Sequence, residues 1–396
     1  MWTLSSTEAR KESGHLTVAI SSDDLRVYTS STPSRAMLDE LRVMRPDWRF
    51  VDASLGVMSL PLPSDRRLFR VPHTVVKLGL SVSGLDPDRL VRPKRADVFV
   101  RFNPGTFGPA GRPLISLVAD LSAARLGELS SLRRYARIMN AASLKATIHS
   151  AARIVCISEF TRKDLIALYP ESELRSVVIH NGLAPEWFAE GVSVRRPQPG
   201  ARRSYYWIWY GQITPRKNVE RLIHAYARVL REHHDASVVP NLLLVARFLS
   251  SERIIRNIVR EHGLEDRVEF REPVPLLDLV ELVKNSAGVV FPSLFEGFGM
   301  PVAEGLAVGV PVLTSNTTAM PEIAGGHAVL VDPWDTGSIE RGLIELLHPS
   351  QWSDGRRASR RAWAERFTVR RSAEAYAALI EEVVSEERRS TDPWSR

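Results

Sequence analysis

Phe291-Pro-Ser-Leu-Phe-Glu296-Gly-Phe-Gly-Met-Pro-Val-Ala-Glu304-Gly-Leu306 places two carboxylates on either side of a glycine-rich turn. The run before it, Ser286-Ala-Gly-Val-Val-Phe291, reads as a buried strand, and Pro301 suits the first position of a following helix. Around Phe298, Gly299 and Met300 the backbone can approach a ligand closely, and the amides that open the helix present the positive end of its dipole. A diphosphate suits such a place. Glu304 is expected on the first turn of that helix and Glu296 on the loop before it, so the two would hold different parts of one ligand, as an acidic residue holds ribose hydroxyls in dinucleotide sites. Each glutamate alone has a plainer explanation, since the macrodipole favours acids in a first turn and a glycine-rich turn is often only a turn. The combination is the specific signal.

Working outward, the chain of 396 residues is long enough for two domains, and 44% apolar with 25% charged residues is ordinary for a soluble globular protein. No apolar run approaches the roughly 18 residues of a membrane span, and the first residues lack a secretory pattern, so a cytoplasmic location is expected. The single cysteine, Cys156, lies in the apolar run Arg153-Ile-Val-Cys-Ile-Ser158; it excludes an intrachain disulfide and reads as core. His233-His234 beside Asp235 is the only close histidine pair, at the polar end of a helix where solvation is the default, and no metal site is expected. A net charge of +7 points to an anionic partner without choosing it. The arginine pairs, among them Arg66-Arg67, Arg133-Arg134 and Arg360-Arg361, come without any zinc-finger, leucine-heptad or RNA-binding signature, which argues against nucleic acid.

Alternating strands and helices recur in two blocks. In the first, Leu16-Thr-Val-Ala-Ile20, Asp97-Val-Phe-Val100, Leu114-Ile-Ser-Leu-Val118, Ile154-Val-Cys-Ile157 and Val177-Val-Ile179 read as buried strands. Residues 131–150 and 161–169 read as helices between them, the second with Thr161 as its N-cap. Residues 191–203, with two prolines, Gly200 and four arginines, read as a polar linker. The second block has strands at Tyr205-Tyr-Trp-Ile-Trp-Tyr210, Leu242-Leu-Leu-Val-Ala246, Val268-Glu-Phe270, Gly288-Val-Val-Phe291, Pro311-Val-Leu-Thr314 and Ala328-Val-Leu-Val331, with Asn218 capping a helix through about Arg231. This predicts an α/β protein of two doubly wound domains, residues 1–190 and 204–370, facing each other across a cleft at the carboxyl ends of their strands. A last helix, near residues 371–387, follows the second domain's strands.

Gly211-Gln-Ile-Thr-Pro-Arg216-Lys217-Asn218 sets two cations beside a helix start. That runs against the dipole preference, so a merely solvated role explains it poorly. Lysine acts as a point charge and arginine can hold phosphate oxygens bidentately.

Glu296 followed by Gly-Phe-Gly, proline and Glu304 resembles the signature of the retaining glycosyltransferases of family 4, in their mannosyl- and rhamnosyltransferase-like branch. Arg216-Lys217, Ile157-Ser-Glu-Phe-Thr-Arg162, His180-Asn-Gly182 and Thr314-Ser-Asn-Thr-Thr-Ala-Met-Pro-Glu322-Ile-Ala-Gly325 extend the resemblance from about residue 150 to the end. It implies the GT-B fold, with the helix and tail of residues 371–396 packing back on the first domain. It further implies that Gly211, Arg216 and Lys217 bind a donor diphosphate, that the backbone of Phe298, Gly299 and Met300 meets phosphates and sugar, that Glu304 holds the ribose, and that Glu296 contacts sugar hydroxyls. Transfer in such enzymes retains configuration and needs no metal or other cofactor.

The chain departs from that pattern where relatives carry His-Asp, having Ala119-Asp120; Asp120 is the carboxylate left there as a catalytic candidate, and His149 a conceivable but less favoured substitute for the imidazole. The loop after the first strand, Ser21 to Ser30, is not glycine-rich as in relatives. The expectation is a hexosyltransferase, first guess mannose from GDP-mannose to a glycan, lipid-linked or small-molecule acceptor, with basic residues such as Arg66, Arg67, Arg133 and Arg134 available for peripheral contact with an anionic membrane. The alternative is a catalytically impaired nucleotide-sugar-binding protein of the same fold.

Overall fold

A computed structural model of the protein describes residues 15–20, 33–52, 96–102, 112–126, 134–189, 205–247 and 252–391. The expected linker, the Ser21 to Ser30 loop, Arg66, Arg67 and Arg133 lie outside these residues, and Arg134 is described only through its backbone.

The first sheet contains β1 (Thr17–Ile20), β2 (Arg49–Asp52), β3 (Val98–Arg101), β4 (Leu114–Val118), β5 (Arg153–Cys156) and β6 (Ser176–Val178), all parallel, in the order β2-β1-β3-β4-β5-β6. Its longer helices among the described residues are α1 (Pro33–Met44), α2 (Arg134–Ser150) and α3 (Glu159–Leu168). β4 is buried at every position, as a strand covered on both faces must be, and Cys156 is wholly buried in β5. Two elements were not read from the sequence. β2 is a short edge strand of mixed charge, and α1 buries only Met37, Leu38 and Leu41.

The second sheet contains β7 (Tyr206–Gln212), β8 (Asn241–Arg247), β9 (Val268–Arg271), β10 (Gly288–Phe291), β11 (Val312–Ser315) and β12 (Val329–Val331), again parallel, in the order β12-β11-β10-β7-β8-β9. The chain winds outward from β7 to β9, then returns to place β10 on the other side of β7, with Gly288 opposite Trp207. That reversal opens a crevice between the ends of β7 and β10, where ligands of open α/β sheets bind. Helices α4 (Val219–Glu232), α5 (Glu252–Glu261), α6 (Leu276–Lys284), α7 (Met300–Val308), α8 (Met320–Ala324), α9 (Thr336–Leu346), α10 (Asp354–Ala364) and α11 (Val369–Thr391) complete the described chain. α4 is amphipathic and buries Val219, Leu222, Ile223, Tyr226 and Val229 at helical spacing. α7 is buried from Pro301 through Val308, small or apolar residues except for Glu304, and Gly305 lets it approach Val289 and Val312 on the strands beneath.

α11 leaves the second domain and packs on α1 and β3 of the first. Arg153 of β5 donates to Glu382 at 2.7 Å and to Glu386 at 2.7 Å, Arg45 pairs with Glu381, and Tyr376 meets Phe102 edge-on at 6.1 Å between ring centres. The entry to this crossing is a backbone contact. Leu183 N–H donates to Phe367 C=O at 2.7 Å, and Val369 N–H donates back to Leu183 C=O at 3.0 Å. Gly182 makes the approach possible, since a Cβ there would lie 2.4 Å from Val369 Cα. Gly182→Ala should therefore break the crossing and cost about 1–3 kcal/mol, as overpacked positions do, read as a lowered urea midpoint; a wild-type midpoint would refute the contact.

Candidate functional site

Two loops meet at the crevice between β7 and β10. The first leaves β7 through Gly211, whose φ of 139° lies where side chains are disfavoured, and ends in a 3₁₀ turn, Pro215–Lys217. The second runs from Phe291 to Gly299. Leu294 N–H donates to Arg216 C=O at 2.7 Å, and Ser293 Oγ lies 2.9 Å from the same oxygen, which joins the loops. Asn218 stands at the start of α4 as expected but makes no side-chain cap. It adopts the left-handed conformation, and its buried amide donates to the carbonyls of Pro292 at 2.9 Å and Pro333 at 2.7 Å, tying three loops.

Glu296 is the centre of the site. Its Oε1 lies 2.6 Å from Lys217 Nζ and 3.0 Å from Arg216 Nη1, and accepts from Ser293 Oγ at 2.7 Å. Burial opposes its charge, but Lys217 and then Arg216 outweigh burial and hold the carboxyl below the ordinary range. Burial also pulls Lys217 down against the opposing pull of Glu296, while Arg216, despite burial, is raised by Glu296 and by Asp120. The Lys217 ammonium sits 4.7 Å from the centre of the Phe291 ring, and Arg216 Nη1 donates to Phe295 C=O at 2.9 Å. Both cations are thus fixed and desolvated against the loop that leads into α7.

α7 begins at Met300 with Gly299 before it, so Pro301 is its second residue and Glu304 stands in its second turn; both expectations are corrected by one position or one turn. Gly299 has φ 98° and no side chain to cap the helix, and a Cβ there would strike Met320 Cε at 2.3 Å. The start of α7 is therefore uncapped beside two cations, an arrangement suited to phosphate. Phe298 is buried under Phe367 and His180. Glu304 is buried and accepts from Tyr210 Oη at 2.7 Å. Burial pushes its carboxyl up to about 7, with the Tyr210 hydrogen bond drawing it partly back.

The first domain closes on this turn. Ser158 Oγ and Thr161 Oγ1 donate to Gly297 C=O at 2.6 and 3.2 Å, and a Cβ on Gly297 would lie 2.0 Å from Ala119 O and 2.9 Å from Asp120 Cβ. Asp120 is thereby brought to the basic pair, while its Oδ1 accepts from Ser122 N–H at 2.9 Å and from Ser122 Oγ at 2.5 Å. Ser158, not Thr161, is the N-cap of α3, accepting from Thr161 N–H at 3.0 Å. His149 is exposed on α2 with its ring on Lys145 C=O, so it does not stand in for an imidazole at position 119.

Two groups were not given roles by sequence reasoning. Glu322 accepts from His180 Nε2 at 2.8 Å and from the amides of Glu159 and Phe160, and Thr318 Oγ1 accepts from Glu296 N–H at 3.3 Å. The motifs containing His180 and Glu322 were visible, but their partners lie over 140 residues away. Thr318, with φ 59°, had no signal, because β-branched residues rarely adopt that conformation. A cavity of about 470 Å³ opens on the α4 side of the loops, lined by Thr214, Asn218, Arg221, Leu294 and Trp334 among others, and none of the ion-paired residues borders it. Among the described residues, no group of three or more His, Cys, Asp or Glu side chains is placed to hold a metal ion, and no helix is long and apolar enough to cross a membrane.

The chain and its fold are similar to known proteins. Residues 195–366 match the family of glycosyl transferases group 1. The chain is 29% identical over 230 residues to O-antigen chain mannosyltransferase B of Escherichia coli, covering 57% of this chain and 59% of that protein. It is 26% identical over 249 residues to the MMP alpha-(1->4)-mannosyltransferase of Mycolicibacterium hassiacum, covering 60% and 57%. The chain therefore spans less than two thirds of these relatives. In three dimensions it resembles sucrose-phosphate synthase (tll1590) of Thermosynechococcus elongatus, with a TM-score of 0.66, 16% identity, and coverage of 94% of this chain and 100% of that one. It also resembles Anabaena Alr3699/HepE, solved in complex with UDP and glucose, with a TM-score of 0.64, 16% identity, and coverage of 93% and 100%. The fold is GT-B, with two doubly wound domains and a last helix returning to the first.

The raised carboxyl of Glu304 predicts a pH dependence of stability. Its folded value of about 7 exceeds the ordinary 4.5, so between these pH values the folded chain holds a proton that the unfolded chain has released. The stability this proton linkage contributes is complete below 4.5 and lost as pH rises through 7, about 3 kcal/mol at ~1.4 kcal/mol per tenfold change. Glu304→Gln keeps an acceptor for Tyr210 and abolishes the titration. Urea unfolding at about pH 5 and about pH 8 should show the variant gaining on wild type at the higher pH; parallel profiles would contradict the assignment.

Proposed function

We propose that the chain is a glycosyltransferase that moves a sugar from a nucleotide diphosphate to an acceptor held in the cleft. The observation carrying this reading is the fixed trio of Lys217, Arg216 and Glu296 beside the uncapped start of α7. Breaking the bond between the anomeric carbon and the donor diphosphate leaves the electron pair on phosphate and cationic character on the sugar. Lys217, Arg216 and the α7 amides meet the first charge, while Glu296 and Asp120 face the second from opposite domains. Glu304 receives the ribose hydroxyls, and the backbone of Phe298, Gly299 and Met300, with Gly211 across the crevice, leaves room for phosphates and sugar.

In this reading the acceptor oxygen bonds the anomeric carbon on the face the phosphate leaves, and its proton passes to the departing phosphate, so configuration is retained. No enzymic base and no metal is assigned, since Arg216 and Lys217 supply the positive charge. A hexose, with mannose from GDP-mannose first, is favoured by the mannosyltransferases among the relatives. The acceptor is a glycan, a lipid-linked glycan or a small molecule. Activity is placed in the cytoplasm, with peripheral contact to an anionic membrane if the acceptor is lipid-linked. A catalytically impaired binder of the same fold is the rival reading, resting on Ala119; it has less behind it, because the cation–carboxylate trio is complete.

Thermal unfolding with GDP, UDP, dTDP and ADP tests the donor site. A nucleotide at 100 times its Kd should add about 2.7 kcal/mol of stability, with GDP the expected one, and Arg216→Ala/Lys217→Ala should abolish the shift. Glu296→Ala should keep the nucleotide shift and lose about a hundredfold or more of the transfer rate, on the scale of one lost electrostatic contact in a transition state. No shift with any nucleotide would overturn the reading. A shift without turnover by wild type, for any sugar of that nucleotide series, would select the impaired binder.

A further inference from the structure

We infer that Glu322 is a positioning residue that carries the docking of the first domain to the loop holding Glu296; this rests on the proposed transfer reaction. Glu322 belongs to the second domain, yet among the described residues every hydrogen bond its carboxylate makes crosses to the first. Oε1 accepts from Glu159 N–H at 3.0 Å and meets His180 Nε2 at 2.8 Å, and Oε2 accepts from Phe160 N–H at 3.1 Å. With Thr161 N–H bonded to Ser158 Oγ, the first three amides of α3 are satisfied, two of them by a residue of the other domain. A negative charge at this end of α3 also faces the positive end of its dipole.

The few residues before Glu322 grip the turn that carries the proposed chemistry. Thr318 Oγ1 accepts from Glu296 N–H at 3.3 Å, and Ala319 N–H donates to Glu296 C=O at 3.4 Å, so the backbone of Glu296 is held on both sides. Met320 fills the space beside Gly299 that a Cβ would occupy. Thr318 keeps a left-handed φ of 59° to make this grip, a conformation that its β-branched side chain disfavours and that its surroundings must impose. A second route leads through His180, whose ring lies 6.1 Å from that of Phe298 and 5.4 Å from that of Phe367. Glu322 thus stands at one end of a five-residue segment whose other end fixes Glu296. Docking α3 and setting the carboxylate among Lys217 and Arg216 become one event.

The test uses the full chain and three variants, Glu322→Ala, Glu322→Gln and Ser158→Ala. Small-angle scattering of the free proteins should give a larger radius of gyration for Glu322→Ala than for wild type, with Glu322→Gln, which keeps one carbonyl acceptor, between them. The nucleoside diphosphate that stabilises wild type should shift Glu322→Ala by the same amount, because its contacts lie in the second domain. With sugar donor, kcat should fall tenfold or more while donor KM stays within about threefold, and Glu322→Gln should recover part of the loss. Ser158→Ala should produce a smaller change in the same direction, which keeps the inference testable if Glu322→Ala does not fold. Wild-type scattering and kcat in Glu322→Ala would overturn the inference. So would a lost nucleotide shift at unchanged radius, which would make Glu322 part of the donor site. If wild type transfers no sugar, the transfer reading fails, and the radius of the variants still decides whether Glu322 docks the domains.

Discussion

A buried carboxylate that stays ionised must be paired, and Glu296 is paired twice. Taking this group out of water is expensive, and only the adjacent cations Lys217 and Arg216, with the Ser293 hydroxyl, make the ionised form tolerable. The cations come from the loop after β7 and the carboxylate from the loop after β10, so the trio clamps the crevice where the sheet reverses. Removing Glu296 would leave two uncompensated buried cations, and breaking a buried pair in this way typically costs about 3–5 kcal/mol. Under the proposed reading, a donor diphosphate would compete with Glu296 for these cations.

The interface between the domains depends on glycines at two places where backbones touch. Gly297 leaves room for the Ala119 carbonyl, and Gly182 leaves room for Val369. Around them the contacts are polar: the short side chains of Ser158 and Thr161 reach Gly297, and the long arm of Arg153 reaches the carboxylates of α11. The apolar core is continuous through this region, from Val18 and Val98 of the first sheet through Leu183 and Phe367 to the second domain. The angle between the domains is therefore set by atoms with little freedom.

Much of the fold could be read from the chain because both sheets are parallel and covered on both faces, so their central strands are mainly apolar runs such as Leu114–Val118, broken only by Ser116, and Gly288–Phe291. β2 escaped because an edge strand reading Arg-Phe-Val-Asp lacks such a run. The basic pair and the two glutamates were legible as local spacing around one turn. What local spacing could not reveal was which atoms share a partner. Asn218 looked like a helix cap and is a loop tie, Thr161 looked like a cap and Ser158 is one, and Glu304 lies a turn deeper than Pro301 suggested. Glu322 and Thr318 act through partners distant in sequence, and the conformation of Thr318 runs against its own preference.

Cys156 is the only thiol in the chain, and it is wholly buried on β5, where burial pushes its ionisation up to about 12. At neutral pH it offers almost no thiolate and no access. Toward maleimides and oxidants the native fold therefore behaves as though it had no cysteine. A cysteine introduced on either domain becomes the sole labelling point without altering the core, and exposure of Cys156 itself becomes a chemical clock for opening of the first domain.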